Sequence, residues 1–313
     1  MKNQALCMMT FAAMLTMAIV RARAAESGPD MAVENPQGRL PSVEEIIEHN
    51  AVARGGLEAW RAVTSLSEFG RMEAVDLNAV NGAGKERRGA RQKMETASRG
   101  MSVPFTLHMQ RPHKLYLEIQ YKGVSAVQVF DGVQGWTVTP SSNGAVVRQY
   151  SPEAARTASV QQDLDGPLID SAAKNTKVLL EGSELVNGRK TYRLKLTLRD
   201  GQERHLWIDA ETFLDAKIDG TRIVGGTAWP VETYFSAYNK VNGLQIPHIL
   251  DTSIGGAGTL ERIIVDHVSV NPVLSEAIFA APVSAPARSI ARPRQSKGTT
   301  NPNATPTGKQ SQY

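Results

Sequence analysis

In this sequence of 313 residues, two aspartates separated by one residue could bind a divalent cation. Asp163 and Asp165 form a D-x-D pair, and carboxylates are the oxygen ligands that hard divalent cations prefer. The pair comes without further recognisable ligands. Asp165 also precedes Gly166-Pro167, a sequence that ends helices. We therefore expect no metal at this pair.

The histidines do not form a recognisable catalytic motif. They are His49, His108, His113, His205, His248 and His267. None lies in an H-E-x-x-H pattern, and the sequence has no nucleophile elbow, phosphate-binding loop or dinucleotide fingerprint. His108 and His113 are five residues apart, so in one continuous strand they would face opposite sides. We expect no catalytic residue and no cofactor, and the sequence favours a protein that is not an enzyme.

Cysteine content and charge distribution exclude further classes. Cys7 is the single cysteine, which rules out a disulfide framework and a cysteine-ligated zinc site. The formal net charge is +4, but eight of the cations lie in residues 1–24 and 281–313, which contain no acid. Removing those eight from 35 leaves 27 basic against 31 acidic residues, so residues 25–280 carry a net charge of −4. We therefore expect no nucleic-acid partner.

Three segments have helical signals. Ser42 and Glu45 form a capping box before an apolar face at helical spacing, which predicts a helix over 42–54 that stops at Gly55-Gly56. A short second helix is expected over 57–63. Ser151-Pro152 begins a third, over 153–164.

The rest of the central region has the two-residue period of strands. The segments 113–122 and 189–199 alternate apolar and polar residues most clearly. Turn dipeptides recur between such segments: Asn81-Gly82, Asp131-Gly132, Asn143-Gly144, Asn187-Gly188, Asp200-Gly201, Asp219-Gly220 and Asn242-Gly243. These dipeptides tolerate the positive φ angles of tight hairpins. We predict ten to twelve strands between Leu66 and Val270, in one antiparallel meander within a single domain over 41–280.

The two ends of the chain differ from this domain. Lys2, an apolar run from Ala5 to Val20 and the A-x-A motif Ala22-Arg23-Ala24 predict a secretory signal over 1–24; an uncleaved anchor is the alternative. Residues 25–40 are expected to form a flexible segment. Residues 281–313 are rich in Ser, Thr, Pro, Asn and Gln and predict a disordered basic tail, which either aids solubility or is weakly attracted to anionic surfaces.

Several motifs resemble the periplasmic lipoprotein carrier LolA, its partner LolB and larger outer-membrane lipoprotein-sorting proteins. In chain order these motifs are Ala53-Arg54-Gly55-Gly56, Met109-Gln110-Arg111-Pro112-His113-Lys114-Leu115, Phe130-Asp131-Gly132-Val133-Gln134-Gly135-Trp136, Asp165-Gly166-Pro167-Leu168, Val231-Glu232-Thr233-Tyr234-Phe235 and Phe279-Ala280-Ala281-Pro282. The resemblance spans roughly residues 42–282. The chain is longer than the small carriers and lacks the lipidation signal expected of the receptor.

The resemblance implies a mainly β (α+β) fold, with an antiparallel meander curled into an unclosed barrel and helices as a lid over its concave face. It implies a periplasmic carrier or binder of lipid or of the acyl chains of lipidated proteins, with an envelope membrane complex as a further partner. A lipid-sensing regulatory module of the same fold is the alternative. An enzyme using the barrel pocket is less favoured.

The resemblance also suggests site residues. Arg111 matches an arginine that holds the helical lid in the carrier by hydrogen bonds to backbone carbonyls; the alternative is a surface cation before Pro112. A sheet with one apolar face must cover it, so we expect a hydrophobic cavity, and ordinary core packing is the competing explanation for each candidate. The candidates are Leu115, Leu117, Ile119, Leu194, Leu196 and Leu198.

The signal predicts where the mature chain begins. Cleavage after Ala24 would release a protein whose first residue is Ala25, because the A-x-A motif places small residues at the peptidase subsites. N-terminal sequencing of the protein from the cell envelope checks this. Recovery of the full-length chain in the inner membrane would contradict it.

Overall fold

The computed structural model describes residues 40–76, 102–142, 144–161, 163–224, 227–255 and 259–282. The predicted signal, nearly all of the predicted flexible segment and all but two residues of the predicted tail lie outside these ranges.

The three predicted α-helices begin within one residue of the predicted starts and end slightly earlier, and a short 3₁₀ helix was not predicted. They are α1 (Val43–Ala53), α2 (Leu57–Arg61), α3 (Pro152–Gln161) and a 3₁₀ helix (Glu276–Phe279). The capping box is confirmed: the hydroxyl of Ser42 accepts from the backbone N–H of Glu45 at 3.2 Å, and Glu45 accepts from the backbone N–H of Ser42 at 2.6 Å. The chain leaves α1 through Gly55 at φ 112°, where a Cβ would lie 2.5 Å from the carbonyl oxygen of Gly243.

In the described part of the chain, thirteen strands form one antiparallel sheet. They are β1 (Ser65–Asp76), β2 (Ser102–Gln110), β3 (Lys114–Tyr121), β4 (Val124–Phe130), β5 (Gly135–Ser141), β6 (Gly144–Gln149), β7 (Lys177–Val186), β8 (Arg189–Thr197), β9 (Glu203–Asp209), β10 (Asp215–Val224), β11 (Thr227–Val241), β12 (Leu244–Ile254) and β13 (Thr259–Val270). The antiparallel meander that does not close is confirmed. Its strand number slightly exceeds the predicted ten to twelve.

The first strand, β1, pairs with the last strand, β13. The two free edges of the sheet are therefore formed by strands from the middle of the chain. The strand order is β6-β5-β4-β3-β2-β1-β13-β12-β11-β10-β9-β8-β7. The edges are therefore β6 and β7, the strands that flank α3 and the residues after it. We call residues 163–176 the bridging segment. The helical excursion interrupts hairpin pairing at this point, and so the opening of the barrel lies there.

Most predicted turns that fall within the described ranges lie between strands, but one is wrong. Asn187-Gly188 and Asn242-Gly243 have positive φ angles between paired strands. Asp219-Gly220 instead lies inside β10, where Gly220 pairs with Val231. The carboxylate of Asp219 accepts from the backbone N–H of His205 on the neighbouring strand at 2.5 Å, so it serves a cross-strand contact and not a turn. Asn81-Gly82 lies outside the described residues.

Two apolar clusters cover one face of the sheet, which we call the inner face. The first cluster combines β1–β3, β12 and β13 with Trp60 of α2 and Ala155 and Ala158 of α3. The second combines β8 and β9 with Ile46 of α1. The helices therefore pack on the inner face, as the lid arrangement predicts.

The clusters predict where truncation destabilises the fold. Leu194 is fully buried in the second cluster, so Leu194→Ala should lower the free energy of unfolding by about 2–5 kcal/mol through lost contacts and a cavity. Leu179→Ala is the matched control, because Leu179 on the neighbouring β7 is 61% exposed; its effect should stay within about 0.5 kcal/mol. Urea unfolding measures both. Equal effects would show that the inner face is misassigned.

Candidate functional site

A cavity of about 430 Å³ lies on the inner face at the opening of the barrel. The β2–β3 turn, the end of α3, the bridging segment and strands β8 to β10 line it. Lys114 of β3 and Leu196 of β8 both line this cavity, although eight strand spacings separate their strands, about 38 Å in a flat sheet. The sheet is therefore strongly curled, and the bridging segment lies between its two sides.

The bridging segment is anchored by two neighbouring apolar side chains. Leu168 packs in the second cluster and Ile169 in the first. The carboxylate of Asp170 adds an ion pair with Arg61 of α2 at 2.6 Å. One short stretch thus contacts both halves of the interior and the helices.

Asp165 is the most buried charged side chain of the cavity wall, with 1% of the side chain exposed. Its carboxylate accepts from Nη2 of Arg111 at 2.7 Å and also from Nζ of Lys174. Its backbone carbonyl accepts from Nη1 of Arg54 at 2.8 Å. A carboxylate buried this deeply requires such partners, because removing one partner of a buried pair costs several kcal/mol.

Asp163 joins the same group of charges. Nδ1 of His113 lies 3.1 Å from one of its oxygens and Nζ of Lys174 lies 3.4 Å from the other. Burial raises the pKa of Asp163, but His113 and Lys174 outweigh it, so the pKa lies below its ordinary value. We call Arg54, Arg111, His113, Asp163, Asp165 and Lys174 the Asp165 cluster.

The D-x-D pair therefore contacts cationic side chains. Within the described ranges, no group of three or more His, Cys, Asp and Glu side chains is arranged to share a metal ion. The carboxylate of Asp165 accepts from Arg111 and Lys174, and Nζ of Lys174 lies 3.4 Å from the carboxylate of Asp163. This arrangement holds the β2–β3 turn against the bridging segment.

Arg111 contacts the backbone at the end of α2 through its guanidinium group. Nε donates to the backbone carbonyl of Val63 at 2.7 Å, and Nη2 donates to that of Trp60 at 3.1 Å. Both carbonyls lie at the end of α2, where a helix has carbonyl groups that its own turns do not fully satisfy; that of Trp60 also accepts from the backbone N–H of Val63 at 3.1 Å. Arg111 thus joins three parts of the chain: the β2–β3 turn, α2 and the bridging segment. Its role as a latch that opens stays a prediction.

Five leucines and one isoleucine were predicted to line the cavity. Two of them line it, and four lie in the packed core. Leu196 and Leu198 line the cavity. The other four are buried in the clusters and do not line it: Leu115, Leu117, Ile119 and Leu194. Alternation correctly indicated the inner face for all six, but a period of two cannot distinguish packed from open positions on that face.

Several residues that line the cavity lack a distinctive motif and were not predicted from the sequence. Val160 and Leu164 line the cavity from the chain around the end of α3, and Ile218 lines it from β10. Arg199 and Arg204 line it near the β8–β9 turn. The alternation of β9 could have indicated Arg204, which has the same parity as the buried Leu206.

Glu68 is an ionisable residue on the inner face that no motif in the sequence predicted. It lies on β1, opposite Val268 of β13 and Leu107 of β2, and side chains directly opposite share a face. Val268 belongs to the first cluster and Leu107 packs against it. Burial raises the pKa of Glu68 to about 7.

Comparison with known proteins gives similarities of structure and none of sequence. No protein-family model matches the chain, and a search of the curated proteins finds no similar sequence. A DUF1329 family protein from Desulfovibrio piger is similar in structure, with 15% identity and a TM-score of 0.48 over 77% of this chain and 98% of that one. A LolA superfamily protein from Nitrosomonas europaea gives 14% identity and a TM-score of 0.48 over the same shares.

A third structure is an outer-membrane lipoprotein-sorting protein domain from Vibrio parahaemolyticus, with 12% identity and a TM-score of 0.47 over 75% of this chain and 94% of that one. In the described part of the chain, no helix is long and apolar enough to cross a membrane.

Glu68 predicts an unusual pH dependence of stability. Its folded pKa of about 7 exceeds the ordinary 4.5, so the native state binds the extra proton and loses stability as pH rises from about 4.5 through 7. Glu68→Gln should remove this loss and stabilise the protein above pH 7 by up to about 3 kcal/mol, with no difference at acidic pH. Urea unfolding across this pH range measures the effect.

Glu73→Gln is the matched control for that experiment. Glu73 lies on the same strand with the opposite parity, 3.4 Å from Arg71. Its replacement should leave the fall in stability between pH 4.5 and 7 in place. If the Glu68 variant keeps that fall as well, the carboxyl of Glu68 is not buried as described.

Proposed function

We propose that the protein is a periplasmic carrier or binder of lipid, related in function to lipoprotein sorting, and that an acyl chain occupies the inner-face cavity. The observation that carries the proposal is this cavity of about 430 Å³ on the inner face of an unclosed barrel. Its apolar wall includes Leu196, Leu198 and Ile218. Apolar surface buried there contributes about 25 cal/mol per Å² to binding.

Two features of the sequence support this proposal. The ordered motifs from Ala53 to Pro282 resemble those of lipoprotein carriers. The first 24 residues resemble a secretory signal, which would deliver the chain to the compartment in which such carriers act. The proposal assigns the protein binding and transfer, and no catalytic step.

The Asp165 cluster supports a mechanism for loading and release. Arg111 donates to the end of α2 and to the bridging segment, so moving either away from the β2–β3 turn must break these hydrogen bonds. Hydrogen bonds to a charged group contribute about 1.5–3 kcal/mol each. They would hold the closed form, and a cargo that binds the open form more tightly would shift the balance.

Arg111→Leu should weaken this closure. The variant should exchange the amide hydrogens of α2 and the bridging segment at least about tenfold faster, because two or three charged hydrogen bonds are lost. It should also release a bound fluorescent lipid to acceptor vesicles more slowly, because the open form is favoured. Hydrogen exchange with mass spectrometry and a vesicle transfer assay measure the two effects.

Two further variants test whether the effect is specific to the guanidinium group of Arg111. Arg111→Lys keeps a cation near Asp165 but lacks the planar fork of donors, so its exchange should be intermediate. Arg71→Leu removes an arginine that pairs with Asp266 and should leave exchange and transfer at parental rates. If Arg111→Leu also matches the parent, Arg111 is an ordinary surface cation. If the parent binds no lipid, the proposed function itself is wrong.

A further inference from the structure

We propose that strand β6 is a docking site for an extended segment of a partner polypeptide, which adds to the free edge of the sheet as an antiparallel strand. The segment alternates apolar residues with polar ones and has an acidic residue opposite Arg148. This interaction goes beyond the proposed function, because it uses the edge of the sheet and does not require a lipid in the cavity.

The backbone groups of alternate residues in β6 face the free edge of the sheet. In the described part of the chain, β6 pairs only with β5. The backbone N–H of Tyr150 donates to the carbonyl oxygen of Gly135 at 2.8 Å, and pairs that exchange such hydrogen bonds alternate with pairs that do not. The N–H and C=O groups of Ala145, Val147 and Gln149 therefore point away from β5. They offer the hydrogen-bonding pattern of one more strand.

The outer face of the sheet, which lies opposite the inner face, is apolar beside this edge. Phe130 of β4 packs in the first cluster. The residues of β4 with the opposite parity, and the residues across from them on β5 and β6, therefore face outward. They include six apolar residues that are partly or largely exposed, which we call the β6 edge surface: Val127, Trp136, Val138, Pro140, Ala145 and Val147. The outward positions of these three strands carry no charged side chain.

Over β10 to β13, the outer face is covered with ion pairs instead. Lys217 pairs with Glu232 at 2.9 Å, and Arg262 pairs with Asp251 at 2.6 Å. Charged side chains of this kind keep the face of a sheet in contact with water. An exposed apolar surface beside an unpaired strand is, in contrast, typical of a site that a partner covers.

The other edge of the sheet, β7, is protected against added strands. Its register shifts between Leu180 and Gly182, and a bulge of this kind twists an edge away from a partner. Lys177 and Glu181 also place charges along it. The β6 strand has no register shift against β5 and contains no proline or lysine. An edge without such protection is the one that pairs with another chain.

Arg148 determines which charge the partner segment carries. It is the one charged residue of β6 and is exposed, and in the described ranges no carboxylate pairs with it. A residue directly opposite Arg148 in an added strand would have its side chain on the same face, so a carboxylate there would form a cross-strand ion pair. Residues 281–313 contain no acid and do not meet this requirement.

The length of β6 favours a single extended segment over a second copy of the chain. A strand of six residues spans about 20 Å, and a sheet is about 10 Å thick. An edge of this size is far smaller than the area of about 800 Å² per partner in a standard stable interface. Adding one strand to an edge is a common mode of peptide recognition, in which backbone hydrogen bonds give affinity and alternate side chains give specificity.

Hydrogen exchange of the β6 amides, followed by NMR on the full chain, tests the site directly. The probe is the capped peptide Ser-Val-Glu-Val-Thr-Val-Thr-Ser, whose glutamate lies opposite Arg148 and whose valines lie opposite the three outward residues in antiparallel register. Without the peptide, the amides of Ala145, Val147 and Gln149 should exchange rapidly, and saturating peptide should slow them at least about tenfold. The amides of Val146 and Arg148 bond to β5 and should be protected in both samples.

A proline at the centre of the edge tests the role of the backbone. Val147→Pro removes an N–H that points away from β5 and leaves the hydrogen bonds to β5 in place. Its affinity for the labelled peptide, measured by fluorescence anisotropy, should fall about tenfold. Val147→Ala keeps the N–H and should lose less affinity; an equal loss would overturn the backbone role.

Leu185→Pro is the matched control for this variant. Leu185 lies on the other edge strand, next to the pair Val186–Arg189 that closes the β7–β8 hairpin, and is 71% exposed. Its affinity for the peptide should equal that of the parent. If Val147→Pro fails to fold, which circular dichroism shows, the exchange measurement on the parent still decides the outcome.

A charge swap tests the predicted register. Arg148→Glu should lower the affinity for the glutamate peptide and raise the affinity for the same peptide with lysine in place of glutamate, each by about two- to fivefold. If the parent and the variant have the same order of preference, the acidic position does not lie opposite Arg148 and the register is wrong.

The exchange data also identify any other occupant of the edge. Slow exchange of the Val147 amide in the dilute protein alone would show that the chain's own residues cover β6. Protection that appears only as the protein is concentrated would show that a second copy does. Either result overturns the partner segment, as does failure of the peptide to bind the parent. Lipid transfer is measured separately, so each of these results leaves the proposed function intact.

Discussion

Burial of the Asp165 carboxylate is the constraint on which the arrangement of the site depends. The side chain is almost completely removed from solvent, and an uncompensated charge at such a position would cost several kcal/mol. Its partners come from distant parts of the chain: Arg111 from the β2–β3 turn and Lys174 from the far end of the bridging segment. Arg54, at the end of α1, binds the carbonyl of the same residue. The residues around this buried carboxylate therefore connect the ends of α1 and α2, a sheet turn and the segment that crosses the barrel opening.

The position of the cavity depends on where the two edges of the sheet lie. Because β1 pairs with β13, the sheet has its edges at β6 and β7, and the chain between them must cover the exposed inner face. Leu168 and Ile169 pack into the two clusters, so the bridging segment is held at two points. Apolar clusters close most of the interior, and the space beside the Asp165 cluster remains open as the cavity.

Ionisable side chains have different effects at different places on the inner face. Asp163 and Asp165 neutralise cations and hold structure together. Glu68 faces apolar neighbours, and burial raises its pKa to about 7. Arg204 lies on the apolar wall of the cavity, where its charge gives that wall a polarity that the leucines alone would lack. Charge placement, together with apolar area, thus distinguishes the cavity from the packed core.

The sequence by itself determined the local features. The capping box fixed the start of α1, proline after Ser151 fixed the start of α3, and alternation identified which side of β3 and β8 is apolar. These signals succeed because they depend on interactions within a few residues. Asp219-Gly220 marks their limit, since the same dipeptide that forms hairpins can also lie inside a strand when its carboxylate has a cross-strand partner.

Only the tertiary structure decided which distant residues meet. Nothing local relates Arg111 to Asp165, or separates Leu196 and Leu198 at the cavity from Leu115, Leu117, Ile119 and Leu194 in the core. The D-x-D pair was ambiguous for the same reason: its meaning depends on which cations the curled sheet brings to it. Local patterns specify the face of a strand, whereas contacts across the barrel depend on how strands far apart in sequence pair and curl.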